Sequence, residues 1–195
     1  MPTGVAMRDA REQLFAAAER VLLRDGASAL TSRAVTTEAQ VAKGLLHRHF
    51  ADFDTFLAEL VLDRIGRVEA QGAALRESAG TGTVTGNLVA ALTTLFDAVA
   101  VGIVGLVVVH DAMRAKVREV TGGGLPLLNE ATAMVRCYLA AERDLGRVAA
   151  HADLDALAPT LIGAAHLLFA DREGARPTHG DVEKVVTTVV ADAVT

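Results

Sequence analysis

Three basic side chains, Arg33, Lys43 and Arg48, stand between Thr31 and Phe50 beside two histidines, His47 and His49, and a single acid, Glu38. The stretch TSRAVTTEAQVAKGLLHRHF follows a helix-like run that ends at Asp25-Gly26 and precedes another that starts at Asp52. The order reads as helix, short helix, turn, short helix, long helix. A tri-helical unit with a tight turn before its third helix presents that helix to the DNA major groove. The chemistry expected here is therefore non-covalent recognition of a double helix. His47 and His49, two apart on a helix, diverge, so no metal site is expected. Outside this stretch the best acid–base or nucleophile set is His110-Asp111 with Cys137. Sequence neighbours on a helix do not face one another, which leaves an α-helical enzyme as a rival with a poor signal and no expected cofactor.

The elements that must position these groups can be read from composition. Half of the 195 residues are apolar, yet there is no Trp and a single Tyr, Tyr138. Ala and Leu favour helices, and no sustained alternation signals a strand, so an all-α fold is predicted. The lone Cys137 excludes an internal disulfide and fits a reducing cytosol. The N-terminus does not read as a signal peptide, because Ala16-Ala17-Ala18 is followed at once by Glu19 and Arg20. The longest uncharged run, Ala98 to Val109, falls short of the ~20 residues that cross a bilayer. A soluble, cytoplasmic protein without a membrane partner is expected.

A net charge of −5 opposes nucleic acid at first sight, but its distribution matters more than its sum. Residues 1–57 hold seven Lys/Arg and seven Asp/Glu; the remaining twelve basic and seventeen acidic groups lie beyond. The acidity belongs to the C-terminal part.

The spacing of Leu14, Ala17, Ala18, Val21 and Leu22 predicts a first helix over Arg8 to Arg24, stopped at Gly26. Thr31 is the expected N-cap of a helix over Ser32 to Ala39, Gln40-Val41-Ala42 the turn, and Lys43 to His49 the third helix. Asp52 or Asp54 caps a long helix to about Arg76, with Phe53, Phe56, Leu57, Leu60, Val61 and Ile65 inward. Ser78 to Gly86 reads as a loop whose glycines do not match a nucleotide-binding fingerprint. Two helices follow, about Leu88 to Val101 and Ile103 to Val120, then a Gly122-Gly123-Gly124 break. Pro126 is expected in the first turn of a helix that ends at Asp144 before Gly146. Leu154, Leu157, Leu161, Ala165, Leu168 and Phe169 form a stripe after Asp153. Val182, Val185, Val186, Val189, Val190 and Ala193 form another after Asp181. Either stripe alone would suit packing on its own core. Two adjacent striped helices predict a four-helix interface between two copies, carried by Leu161, Ala165, Leu168, Val182, Val186, Val189 and Val190.

Ala16-Ala17-Ala18, Gly26, Thr31, Val35, Val41, Lys43-Gly44, Leu46 and Phe50 fall in one ungapped register. In this register residues 8 to about 60 resemble the DNA-binding domain of the TetR (tetracycline-repressor-like) family. The chain departs from the family pattern at four places: Gln40 replaces the turn Gly, Ala42 a Ser, His47 a Tyr, and Phe53 a Lys. The resemblance implies a homodimeric repressor that binds a palindromic operator and answers to a small molecule. It implies a DNA-binding domain over 1–57 and an effector-binding and dimerisation domain over 58–195. Lys43 and Arg48 would be the charged contacts, with Arg able to grip guanine by two hydrogen bonds. Ala42 and Leu45 complete the reading set, Leu45 against a thymine methyl; Gly44 leaves room for close approach; His47 and His49 meet phosphate or base edges. Thr31 and Arg33 anchor phosphate. Leu46, Val41, Val35 and Phe50 are core.

For the effector, the polar residues stranded among apolar ones are His110, Asp111, Arg114, Asn129, Thr132, Cys137, Tyr138 and His166. With Met113 and Met134 they suggest a pocket for a largely apolar ligand. Ligand binding is expected to change the angle of the long helix from Asp52 to Arg76 and so the spacing of the two recognition helices. A ligand-binding dimer without DNA binding is the second rival, raised by Gln40, Ala42 and Phe53.

Overall fold

The computed structural model describes residues 4–170 and 175–194, with side chains from residue 10 onward. The order is α1 (Gly4–Asp25), a 3-10 turn (Ala27–Ala29), α2 (Ser32–Glu38), α3 (Gly44–His49), α4 (Phe53–Glu77) and α5 (Val84–Leu95). Then come α6 (Ala98–Val109), α7 (Asp111–Thr121), α8 (Leu128–Asp144), α9 (Leu154–Ala170) and α10 (His179–Val190). The fold is all-α; among the described residues the only β pairing is an isolated bridge between Val148 and Val194.

The helices fall into two compact units. One runs up to Asp63 and includes Gly102–Pro126; the other comprises Arg64–Val101 and the described residues from Leu127 on. The units therefore do not follow the division at 57/58, since residues 102–126 join the N-terminal helices. One cause is close approach: a Cβ on Gly102 would lie 2.9 Å from the Leu22 side chain, so α6 can meet α1 only through a glycine. The core of this unit is Leu14, Ala17, Ala18, Val21 and Leu22 of α1 against Val35, Leu46, Phe56, Leu57 and Leu60. Phe15, Phe50 and Phe56 form an aromatic cluster with centroids 5.0–5.8 Å apart, and Arg11 lies over Phe50 at 4.6 Å. Rings in such tilted and edge-on arrangements add to plain area burial.

In the other unit α10 packs on α5 and α9, and α8 on α9. Val182, Val186 and Val190 meet a core that includes Leu88, Leu92, Leu139, Leu161, Ile162 and Ala165. Among its described residues the most deeply buried charge is Glu142, which accepts from Tyr138 Oη at 2.6 Å and Gly80 N at 3.2 Å, with Arg147 Nε at 3.4 Å. Asn87 donates to the same Tyr138 oxygen at 3.0 Å. A buried carboxylate survives only with such partners.

Several element boundaries differ from expectation. The helix α1 begins at Gly4 rather than Arg8. The run expected as two helices from Leu88 to Val120 forms three. Phe96 closes α5, and Asp97 Oδ1 accepts from Ala100 N at 2.7 Å to start α6 afresh. At His110 the backbone leaves the helical region (φ −115°, ψ 82°), separating α6 from α7. Thr83, not a residue past Gly86, caps α5, its Oγ1 accepting from Gly86 N at 3.0 Å. Pro126 lies ahead of α8 rather than in its first turn; Leu127 intervenes at φ 73°, its amide donating to Glu130 Oε2 at 2.7 Å. The last helix starts at His179, with Thr178 as the cap and Asp181 in the first turn. Val41 is half-buried rather than core, and so is Phe53.

Candidate nucleic-acid interface

The turn between α2 and α3 is built from the backbone outward. Thr31 caps α2, its Oγ1 accepting from Ala34 N at 3.1 Å, and Thr36 is buried with its hydroxyl on Ser32 O. After Ala39 the chain enters the left-handed region at Gln40 (φ 56°). Gln40 N then donates to Thr37 O, and Val41 N to Thr36 O, both at 3.1 Å. That pair is a Schellman closure, normally given to glycine at the left-handed position. Gln13 Nε2 of α1 donates to Ala39 O at 3.0 Å, tying the turn to the first helix. Ala42 supplies no hydroxyl; its carbonyl accepts from Leu45 N at 2.8 Å and α3 begins at Gly44, with Lys43 lacking a side-chain cap bond.

Helix α3 inserts Leu46 completely, with Leu45 and His49 half-buried and Phe50 buried behind it. Lys43, Gly44, His47 and Arg48 are exposed, and their four-residue spacing puts Lys43 above His47 and Gly44 above Arg48. A Cβ on Gly44 would meet nothing within 4 Å, so the glycine relieves no packing inside the chain. Ala42, Thr31 and Arg33 are also exposed. Thr31 and Arg33 line a concavity of about 330 Å³ with Arg24, Ala34, Thr37 and Glu38.

Glu38, the one acid of the segment, is held between two arginines of α1: Arg20 Nε and Arg24 Nη1 each lie 2.7 Å from it. The hydrogen bonds from Arg24, then Arg20, hold its carboxyl below the usual range. Among the described residues Arg33, Lys43 and Arg48 enter no ion pair. The local surface is thus cationic although the whole chain is acidic. Sequence reasoning missed Arg20 and Arg24, whose partner lies more than a dozen positions away and leaves no mark in local spacing.

The ten residues read as a pocket divide between the two units. Met113 is buried, His110 Nε2 lies 3.8 Å from Asp54 Oδ1, and Arg114 donates to Val107 O and Val108 O at 2.9 Å while pairing with Asp111; all belong to the first unit. In the second, Met134 and Cys137 line an open groove of about 320 Å³ between α4 and α8, with Gly72, Ala73, Arg76 and Ala133. Tyr138 is instead sealed in the Glu142 network, burial raising its phenol above the usual range. The His166 ring packs 5.9 Å from Phe96 with Nδ1 shielded and unpartnered, and burial lowers its pKa. Asn129 is exposed, and Thr132 donates to Leu128 O. No group of His, Cys, Asp or Glu among the described residues is arranged to hold a metal.

The residues expected to face a second copy need correction. Leu161, Ala165, Val182, Val186 and Val190 are buried within the single chain, and Leu168 and Val189 half-buried. A side chain already inside the core has little area left to give a partner. The outward face of α9 carries Ala156, Thr160, Gly163 and Leu167 instead, and Leu167 is 76% exposed.

No single helix among the described residues is long and apolar enough to cross a membrane. Residues 14–60 match the family of bacterial regulatory proteins designated tetR. No curated protein sequence matches the chain. Among solved structures, a TetR-family transcriptional regulator from Agrobacterium tumefaciens superposes with a TM-score of 0.73 at 12% identity, covering 97% of this chain and 100% of that one. The Bacillus subtilis regulator FadR in complex with stearoyl-CoA gives 0.65 at 16%, covering 92% and 95%. SmeT, the repressor of a Stenotrophomonas maltophilia multidrug efflux pump, gives 0.67 at 18%, covering 95% and 90%. At these identities the likeness is one of fold. Residues 14–60 are thus similar to the tetR family, and the described residues share the fold of these solved transcriptional regulators.

Proposed function

We propose that the protein is a ligand-responsive homodimeric repressor that binds a palindromic operator through α3. One observation carries this reading: α3 buries Leu46 and leaves Lys43, Gly44, His47 and Arg48 outward, on a helix otherwise fixed by the turn and by Phe50. Arg48 suits a bidentate contact to guanine, and Lys43 a phosphate or base edge. His47 and His49 add ring donors, Ala42 and Leu45 apolar contacts, and Gly44 room for a close groove wall. Thr31 and Arg33 suit a phosphate at the start of α2. The DNA-binding part is assigned to residues 1–57 and the effector and dimer functions to 58–195, with 102–126 supporting the former. Two copies would meet through the outward face of α9.

For the effector we favour the groove lined by Met134 and Cys137, whose lining is mostly apolar. The stearoyl-CoA bound to FadR and the repressor role of SmeT support a small-molecule input and a repressive output. The ligand would act by shifting α4, whose first residue follows α3 by a short connection, and so alter recognition-helix spacing. No catalytic step is part of this reading.

The test is a mobility-shift titration with the region upstream of the protein's own gene, at several salt concentrations. Lys43→Ala and Arg48→Ala are each expected to weaken binding about tenfold, with Lys43→Ala also flattening the salt dependence. Wild-type affinity in both variants would remove α3 as the reading helix.

A further inference from the structure

We propose that Lys116 of α7 is a positioning residue for operator binding, neutralising and holding the Asp52 cap of α4 so that α3 meets DNA without an uncompensated carboxylate at that cap. The proposal rests on the DNA-binding reading above. Asp52 and Asp54 follow α3 directly and flank Phe53. Two carboxylates next to a phosphate-binding face work against it, because each repels the backbone that Lys43 and Arg48 attract.

Helix α7 answers the first of them with a fixed charge. Lys116 Nζ lies 3.5 Å from Asp52 Oδ2 and donates to Thr55 Oγ1 at 3.1 Å. Thr55 in turn donates its amide to Asp52 Oδ1 at 2.6 Å. Asp52 is thereby the cap of α4, the acceptor of the Thr55 hydroxyl and the counter-ion of a lysine sixty-one positions from that threonine. These contacts, those from Thr55 first and Lys116 after them, hold the Asp52 carboxyl below the usual range. The second acid, Asp54, faces His110 at the start of α7. The remaining charges there, Asp111 and Arg114, pair with each other. Lys116 is thus the cation placed on the Asp52 cap. At 3.5 Å the pair reads as a dipole from the distance of a bound phosphate, whereas Asp52 alone would act as a full charge within the ~10 Å screening length at moderate salt.

The experiment uses the full chain. Wild-type protein first selects a duplex from a random pool, and that duplex is the probe. Lys116→Met is expected to bind it about three- to tenfold more weakly at low salt, and Lys116→Arg close to wild type. Adding Asp52→Asn to Lys116→Met, which keeps the cap acceptor and removes the charge, is expected to recover most of the loss. A purely structural lysine would not be rescued that way. Lys116→Met equal to wild type, or a double variant no better than Lys116→Met, overturns the proposal. Should Lys116→Met not fold, Asp52→Asn alone decides: it is expected to bind at least as tightly as wild type, and weaker binding overturns the proposal. A wild-type chain that enriches no duplex overturns the operator reading itself and this inference with it.

Discussion

Gln40 shows how one residue can depart from a family pattern without changing the fold. Its φ of 56° is where glycine rests without cost, and a side chain there meets its own backbone. The Schellman hydrogen bonds and the Gln13 bond to Ala39 O hold the turn closed all the same. The strain is therefore local and stored. Gln40→Gly is expected to stabilise the protein by about 0.5–1 kcal/mol, the value typical of relieving a left-handed non-glycine residue. A urea unfolding midpoint that rises at unchanged slope checks this; an unchanged or lower midpoint means the turn carries no strain. The residues around it were legible from sequence because their types have one physical use: Thr31 as a cap, Val35, Leu46 and Phe50 as burial. Val41 differs from expectation because an apolar residue in a five-residue connection has no periodicity to assign its side.

Elements were legible wherever a stop signal was local. Gly26, Gly146 and the Thr31 cap are visible in the string, and the boundaries they mark agree with the structure. The break between α6 and α7 was not, because Ile103–Val120 contains neither glycine nor proline at the join. What ends α6 is a side chain from the next helix. Arg114 Nη1 donates to both Val107 O and Val108 O, satisfying carbonyls that a continuing helix would have bonded to its own amides. The positive charge also sits at the negative end of the helix dipole. Arg114→Met, which keeps length and removes the donors, is expected to cost about 1 kcal/mol, because the group is partly exposed and water replaces some of what is lost. Chemical unfolding measures the cost. Hydrogen exchange should quicken at the end of α6, and unchanged exchange there would reduce Arg114 to an ordinary surface cation.

At the scale of the whole molecule, the sequence pattern located the apolar stripes of α9 and α10 but not what they face. A stripe states that a helix must be buried on that side; it is silent on whether the cover is the same chain or another. Here the stripes are consumed inside, leaving α9 with an outer face of Ala156, Thr160, Gly163 and the protruding Leu167. Their recurrence at four, three and four residues makes one continuous strip down the helix, small enough for a second helix to come close. In an isologous pairing each copy brings its own Leu167 to that strip, so a single substitution acts twice. Leu167→Glu therefore places two like charges in the interface while leaving the monomer core untouched. Sedimentation is expected to give a dimer for wild type and a monomer for the variant, with the same helix content by circular dichroism. Operator affinity should fall in step, since two half-sites can be held in register only by a joined pair of recognition helices. A Leu167→Glu protein that remains dimeric would move the interface off the outer face of α9.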